Sequence, residues 1–101
     1  MISITENDND SASLSLEGEL TIYLASKFNE DMNNYLNKYK RIDIDMSNVT
    51  ELDTSCYQIL LRAKLISLKN NKEFILGKLS DKSQMVFDLY DAFRHLEKNS
   101  H

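Results

Sequence analysis

From its amino end the chain alternates apolar and polar residues, with Ile2 and Ile4 and then Ala12, Leu14 and Leu16 on the apolar beat, the period of a strand that buries one face. The intervening Asn7-Asp8-Asn9-Asp10 consists of turn formers, so the two runs are expected to pair as a β-hairpin. Between Leu20 and Tyr39 the rhythm changes. Ala25, Phe28, Met32, Tyr35, Leu36 and Tyr39 recur every three or four positions, which predicts one face of an amphipathic helix. Period two returns at Arg41 to Ser47, with Ile42, Ile44 and Met46 on one side and Asp43 and Asp45 on the other. Such a strand is expected to be covered by helices on one face and to meet water or a partner on the other.

A second helix is predicted from about Thr54 to Leu68, then a strand over Lys72 to Leu79, whose apolar centre is bracketed by Lys72 and Lys78. Strands joined by a crossover helix should run parallel. Met85, Leu89, Phe93 and Leu96 mark a third helix, with Ser80 and Asp81 as candidate caps. The order is ββαβαβα, an α/β sandwich in which a mixed sheet carries helices on one face. With 101 residues, no proline, two glycines and no internal repeat, one domain over residues 1–101 is expected.

Composition narrows the function classes. No apolar run approaches the roughly 20 residues of a membrane helix, the first ten residues carry neither a basic segment nor a long apolar core, and Cys56 has no second cysteine to pair with. A cytoplasmic protein with no membrane insertion is the expectation. A net charge of −4 with scattered basic residues argues against nucleic acid as partner. His95 and His101 lack companions at metal-ligand spacing, and no phosphate-cradling glycine loop or nucleophile elbow is present. Neither a metal nor a cofactor is expected, and nothing points to an enzyme.

The chemistry concentrates at Asp53-Thr54-Ser55, three small polar residues at the start of the second helix. A helix start needs one good cap. Ser55 and Gln58 have the spacing of a capping box, Asp53 is an equally good cap by type, and Thr54 between them is left with a spare hydroxyl. Cys56 opens an apolar series continued by Leu60 and Ala63, which places its thiol in the core rather than in chemistry. Ile59, Leu60, Leu61, Ala63, Leu65, Ile66 and Leu68 cover more of this helix than one buried stripe requires. The surplus is either wedged between sheet and neighbouring helix or exposed for a partner.

Four features, in their order and spacing, resemble the STAS domain, the module of bacterial anti-sigma factor antagonists and of sulfate-transporter tails. They are Gly18-Glu19-Leu20 before the first helix, the strand Asp43 to Met46, the turn Asp53-Thr54-Ser55 and the strand Phe74 to Leu76. The resemblance runs nearly end to end and implies the fold order already read. In antagonist members this turn reads Asp, then Ser or Thr, then a small residue, then usually Gly, and the first hydroxyl is phosphorylated by a partner that is both kinase and anti-sigma factor. The resemblance therefore implies Thr54 as phosphoacceptor, ahead of Ser55, and a partner-binding surface of Asp53, Thr54, Ser55, Cys56, Tyr57 and Leu61. The implied partners are an anti-sigma factor kinase of the Bergerat ATPase type and a phosphatase. Cys56 replaces the usual Gly, which sets a side chain where a kinase needs close approach. The alternative is an unmodified STAS scaffold subunit of a sensory or lipid-transport complex.

Overall fold

A computed structural model describes the backbone of residues 2–99 and the side chains of residues 2–91. The elements follow the expected order: β1 (Ile2–Glu6), β2 (Ser11–Leu20), a short 3₁₀ turn (Ile22–Leu24), α1 (Ala25–Lys38), β3 (Arg41–Leu52), α2 (Thr54–Lys69), β4 (Glu73–Leu79) and α3 (Asp81–Asn99). The sheet order is β1-β2-β3-β4. β1 pairs antiparallel with β2 in the register Ile4↔Leu14, whereas β2–β3 and β3–β4 are parallel, as the two helical crossovers require. In the hairpin turn the Asp8 carboxylate accepts from the N–H groups of Asp10 and Ser11, each at 2.8 Å, an Asx turn.

The alternating residues do what their period predicts. Ala12, Leu14 and Leu16 of β2 and Ile42, Ile44 and Met46 of β3 are buried on one face, where they meet Phe28, Met32 and Leu36 of α1 and Cys56, Tyr57, Leu60 and Ala63 of α2. On the opposite face Ser13, Ser15 and Asp43 are half-buried and Asp45 is exposed. The sheet thus carries its helices on one side.

β3 outruns its sequence signal. Strict alternation ends at Met46, yet the strand continues to Leu52, with Val49 and Leu52 buried at intervals of three. The pairing explains the change. Between Ser15↔Asp45 and Glu17↔Asn48, β3 advances three residues against two on β2, and between Gly18↔Val49 and Glu19↔Glu51 it advances two against one. Each step is a β-bulge, one extra residue on β3 that resets which face the following side chains take. Gly18 sits at the second step with φ 81°, backbone space that costs any residue with a Cβ.

Helix ends are closed by identifiable groups. At the end of α2 the Lys72 N–H reaches the Ser67 carbonyl at 2.8 Å and the Asn71 N–H reaches Leu68 at 3.3 Å, with Asn71 at φ 57°, a Schellman-type stop using Asn in place of Gly. α3 is capped by Ser80, whose Oγ accepts from the Ser83 N–H at 3.1 Å, so Ser80 rather than Asp81 is the cap. The buried side of α3 also differs from its sequence prediction. Ser83 is buried and Val86, Phe87 and Tyr90 pack against the core, whereas Met85 and Leu89 are 65% and 66% exposed. The recurrence found the helix, and of its expected stripe Met85 and Leu89 face outward; Phe93, His95 and Leu96 lie outside the described side chains.

Candidate functional site

Leu52 is the last core residue of β3, and the chain then turns at Asp53 with φ −93° and ψ 171°, the extended geometry of an N-cap. The Asp53 N–H donates to the Leu20 carbonyl at 3.0 Å, tying the turn to the end of β2. Its carboxylate is fully used. Oδ1 accepts from the Ser55 hydroxyl at 2.6 Å and from the Cys56 N–H at 3.4 Å, and Oδ2 accepts from the Ile22 N–H at the start of the 3₁₀ turn. Burial alone would raise the pKa of Asp53, but the donors from Ser55, Cys56 and Ile22 outweigh it and hold the carboxyl below its ordinary value. Asp53 therefore wins the capping contest. Ser55, inside the first turn of α2, donates to the cap instead of acting as one.

Thr54 is exposed at the amino end of α2. Its hydroxyl is not spare, as the sequence suggests: Oγ1 lies 2.5 Å from the Tyr90 hydroxyl of α3. One turn further along, the Tyr57 ring stacks on Tyr90 with centroids 4.6 Å apart and planes at 16°, and meets Phe87 edge-on at 4.9 Å. A hydroxyl pair and an aromatic stack thus join the start of α2 to the second half of the described α3.

Two of the expected contact residues belong to the core. Cys56 is 0% and Tyr57 3% exposed, so neither side chain meets a partner in this conformation. The Cys56 thiol points inward to the Thr21 carbonyl at 3.5 Å. Burial and the nearby Asp53 carboxylate both push its pKa up, which keeps it a thiol at neutral pH. Turned inward, the Cys56 side chain takes no space on the outer surface beside Thr54.

Outward-facing residues form a stripe. Thr54, Leu61, Leu65 and Leu68 follow one another at seven, four and three positions, one helical face. Leu61 is half-buried, whereas Leu65 and Leu68 are 58% and 62% exposed. The surplus apolar residues of α2 therefore divide: Leu65 and Leu68 are exposed, whereas Ile59 and Leu61 are half-buried against the core. Beside the cap, Ile22, Tyr23 and Leu24 are 65%, 92% and 43% exposed. Sequence reasoning missed this triplet, although its apolar run ahead of the amphipathic period was a usable signal. It also missed Tyr90, for which spacing gives no hint, since Thr54 lies 36 residues away. Among the described residues no three His, Cys, Asp or Glu side chains gather, and no helix is long and apolar enough to cross a membrane.

Comparison with known proteins agrees with this fold. The anti-sigma factor antagonist SpoIIAA in its unphosphorylated form superposes with a TM-score of 0.77, at 15% identity over 90% of this chain and 81% of that one. The phosphorylated form of the Bacillus cell fate determinant SpoIIAA gives 0.75, at 14% identity over 89% and 83%. A family described as "Mlab, STAS domain" matches residues 4–96. By that match over nearly its whole length, with the fold in agreement, the chain belongs to the STAS domain family.

Proposed function

We propose that this protein is a non-enzymatic regulatory binding protein, an anti-sigma factor antagonist in a bacterial partner-switching pathway. In its unmodified form it docks an anti-sigma factor kinase through Thr54 and the outer stripe of α2, and phosphorylation of Thr54 releases it. The observation that carries this reading is an exposed threonine at the head of a helix whose outer apolar stripe continues through half-buried Leu61 to Leu65 and Leu68, which are 58% and 62% exposed. Its fold is shared with SpoIIAA, which exists in unphosphorylated and phosphorylated forms.

The chemistry is balanced without any group from this chain beyond the acceptor. The Thr54 oxygen attacks the γ-phosphorus of a nucleoside triphosphate held by the kinase, the bond from phosphorus to the leaving diphosphate breaks, and the hydroxyl proton passes to a base on the kinase. A phosphatase returns the hydroxyl by attack of water. The new group adds about −1.5 to −2 charges at a turn that already carries Glu51 and Asp53. The dipole of α2 favours it by roughly 0.3–1 kcal/mol. A partner carboxylate about 6 Å away opposes it by about 5 kcal/mol at an effective dielectric near 20, before screening. Half of that weakens binding nearly a hundredfold. Local charge suffices to switch docking, and no refolding of this chain is needed.

Affinity capture from the native cell, with phosphosite mapping of the captured and unbound fractions, tests the reading. A kinase of the Bergerat ATPase type is expected with the unmodified protein, and phosphothreonine 54 in the unbound fraction. Thr54→Glu, with one added charge in place of nearly two, is expected to lower partner affinity by about tenfold from the same electrostatics, and Thr54→Ala to stay bound in the presence of the nucleotide. Equal binding by both variants and wild type overturns the switch. Leu65→Asp is expected to weaken docking at least tenfold while changing stability by less than about 0.5 kcal/mol, as exposed substitutions do.

A second reading is a STAS scaffold subunit of a sensory or lipid-transport complex, in which Thr54 is a contact and never modified. It is favoured by the engagement of the Thr54 oxygen with Tyr90 and by the match to the "Mlab, STAS domain" family. A stoichiometric complex that survives purification without any phosphorylated species supports it over the switch.

A further inference from the structure

The hydroxyl of Thr54 and the ring of Tyr57, one turn apart on α2, both end on one side chain, Tyr90 of α3. Tyr90 is half-buried and Tyr57 is buried, so the stack fixes the Tyr90 ring while its hydroxyl reaches the outer surface at Thr54. α3 has no other hydroxyl-bearing side chain among its described residues past Ser83.

We propose that Tyr90 is a latch through which the chemical state of Thr54 reaches α3. With a free hydroxyl on Thr54 the latch is closed and the second half of the described α3 is held against the start of α2. A phosphoryl group on Thr54 opens it. This inference rests on the reading of Thr54 as a phosphoacceptor and adds a consequence inside the molecule to the loss of the partner outside it.

Geometry and charge decide the direction. The two oxygens share one hydrogen bond in which either can be the donor, and a phosphoryl group on Oγ1 is far bulkier than the proton it replaces. Once Thr54 is esterified its oxygen has no proton to give, and negative charge moves to the outer oxygens. Those oxygens are repelled by the acids next to Thr54 in the chain. Asp88 and Asp91 flank Tyr90 on α3, and Asp53 and Glu51 precede Thr54; Asp88 accepts from the Gln84 side chain, Asp91 also has a contact of its own, and Asp53 is held in its charged form. Repulsion from Asp53 and Glu51 turns the dianion outward, and the Tyr90 ring, held in its stack on Tyr57, does not follow it.

The protein phosphorylated at Thr54 is obtained without the kinase by ligating a synthetic 1–55 segment to 56–101 at the Ser55–Cys56 junction, then refolding. Amide hydrogen exchange of residues 86–91, read by mass spectrometry on the full chain without partner, is expected to be about three- to tenfold faster than in the unmodified ligated protein, the range given by loss of one hydrogen bond. Tyr90→Phe and Thr54→Val, each in recombinant unmodified protein, are expected to give the same acceleration, and the double variant no more than either single one. Unchanged or slower exchange on phosphorylation overturns the latch, as do additive effects of the two substitutions. Loss of partner binding on Thr54 modification with unchanged exchange sinks the latch alone, whereas accelerated exchange with undiminished partner binding keeps the latch and sinks the switch.

Discussion

The helices that leave β2 and β3 begin side by side and are anchored in opposite ways. α1 is reached through the 3₁₀ turn, with no side-chain bond from Thr21 and none at Leu24, and with Ile22, Tyr23 and Leu24 exposed. α2 begins on Asp53, whose two carboxylate oxygens take the Ser55 hydroxyl, the Cys56 N–H and the Ile22 N–H. The difference is one of dependence. The last of those bonds belongs to the path into α1, so the carboxylate that caps one helix also holds the approach to the other. α1 lacks a cap because its neighbour's cap reaches across.

The largest effect is expected where that dependence is cut. Asp53→Ala removes a cap and leaves the Ile22 N–H without its charged acceptor, and is expected to cost about 2–4 kcal/mol in urea denaturation. A cost under about 1 kcal/mol would mean the two helix starts are independent. Acid reproduces part of the loss. Because the folded-state pKa of Asp53 is depressed, its contribution is complete above the unfolded value of about 3.9 and fades as pH falls through the lower folded value. Asp8 and Asp45 are depressed as well, by local donors from Asp10 and Ser11 and from Ser47. The measurement is therefore the difference between wild type and Asp53→Asn, which should shrink below about pH 4. The smallest effect is expected at Thr21, the formal start of the 3₁₀ turn: Thr21→Ala should change stability by less than about 0.5 kcal/mol, since its side chain makes no capping bond. A larger loss there would show that the path into α1 has an anchor of its own.

How much of this was legible in the sequence depended on how local the cause was. The strands through Met46 follow from period two and α1 from a recurrence of three and four, because in each case one buried face is repeated along the element itself. β3 beyond Met46 was not legible, since its bulges are set by pairing with β2 and leave no period to find. At the candidate site the residues of the turn were found, and their roles were not. Asp53 and Ser55 are equivalent caps by type, and the choice falls to Asp53 because its second oxygen also reaches Ile22, a contact 31 residues distant. Thr54 looked unengaged because its companion, Tyr90, arrives from α3. On α3 the sequence signal misled for a related reason: Met85 and Leu89 have helical spacing, but Ser83, Val86, Phe87 and Tyr90 meet the sheet and α2.

The two extra residues of β3 make that strand a ruler. Between Ile44 and Asp53 the count of residues, together with the bulges, sets both how far the turn projects past the sheet and which way it faces. Deleting one of these residues would do more than shorten a strand, for it would turn the remainder over and carry the carboxylate away from both helices at once. The stretch from Ser47 to Leu52, with little chemistry of its own, is thereby the part of the molecule least free to change in length.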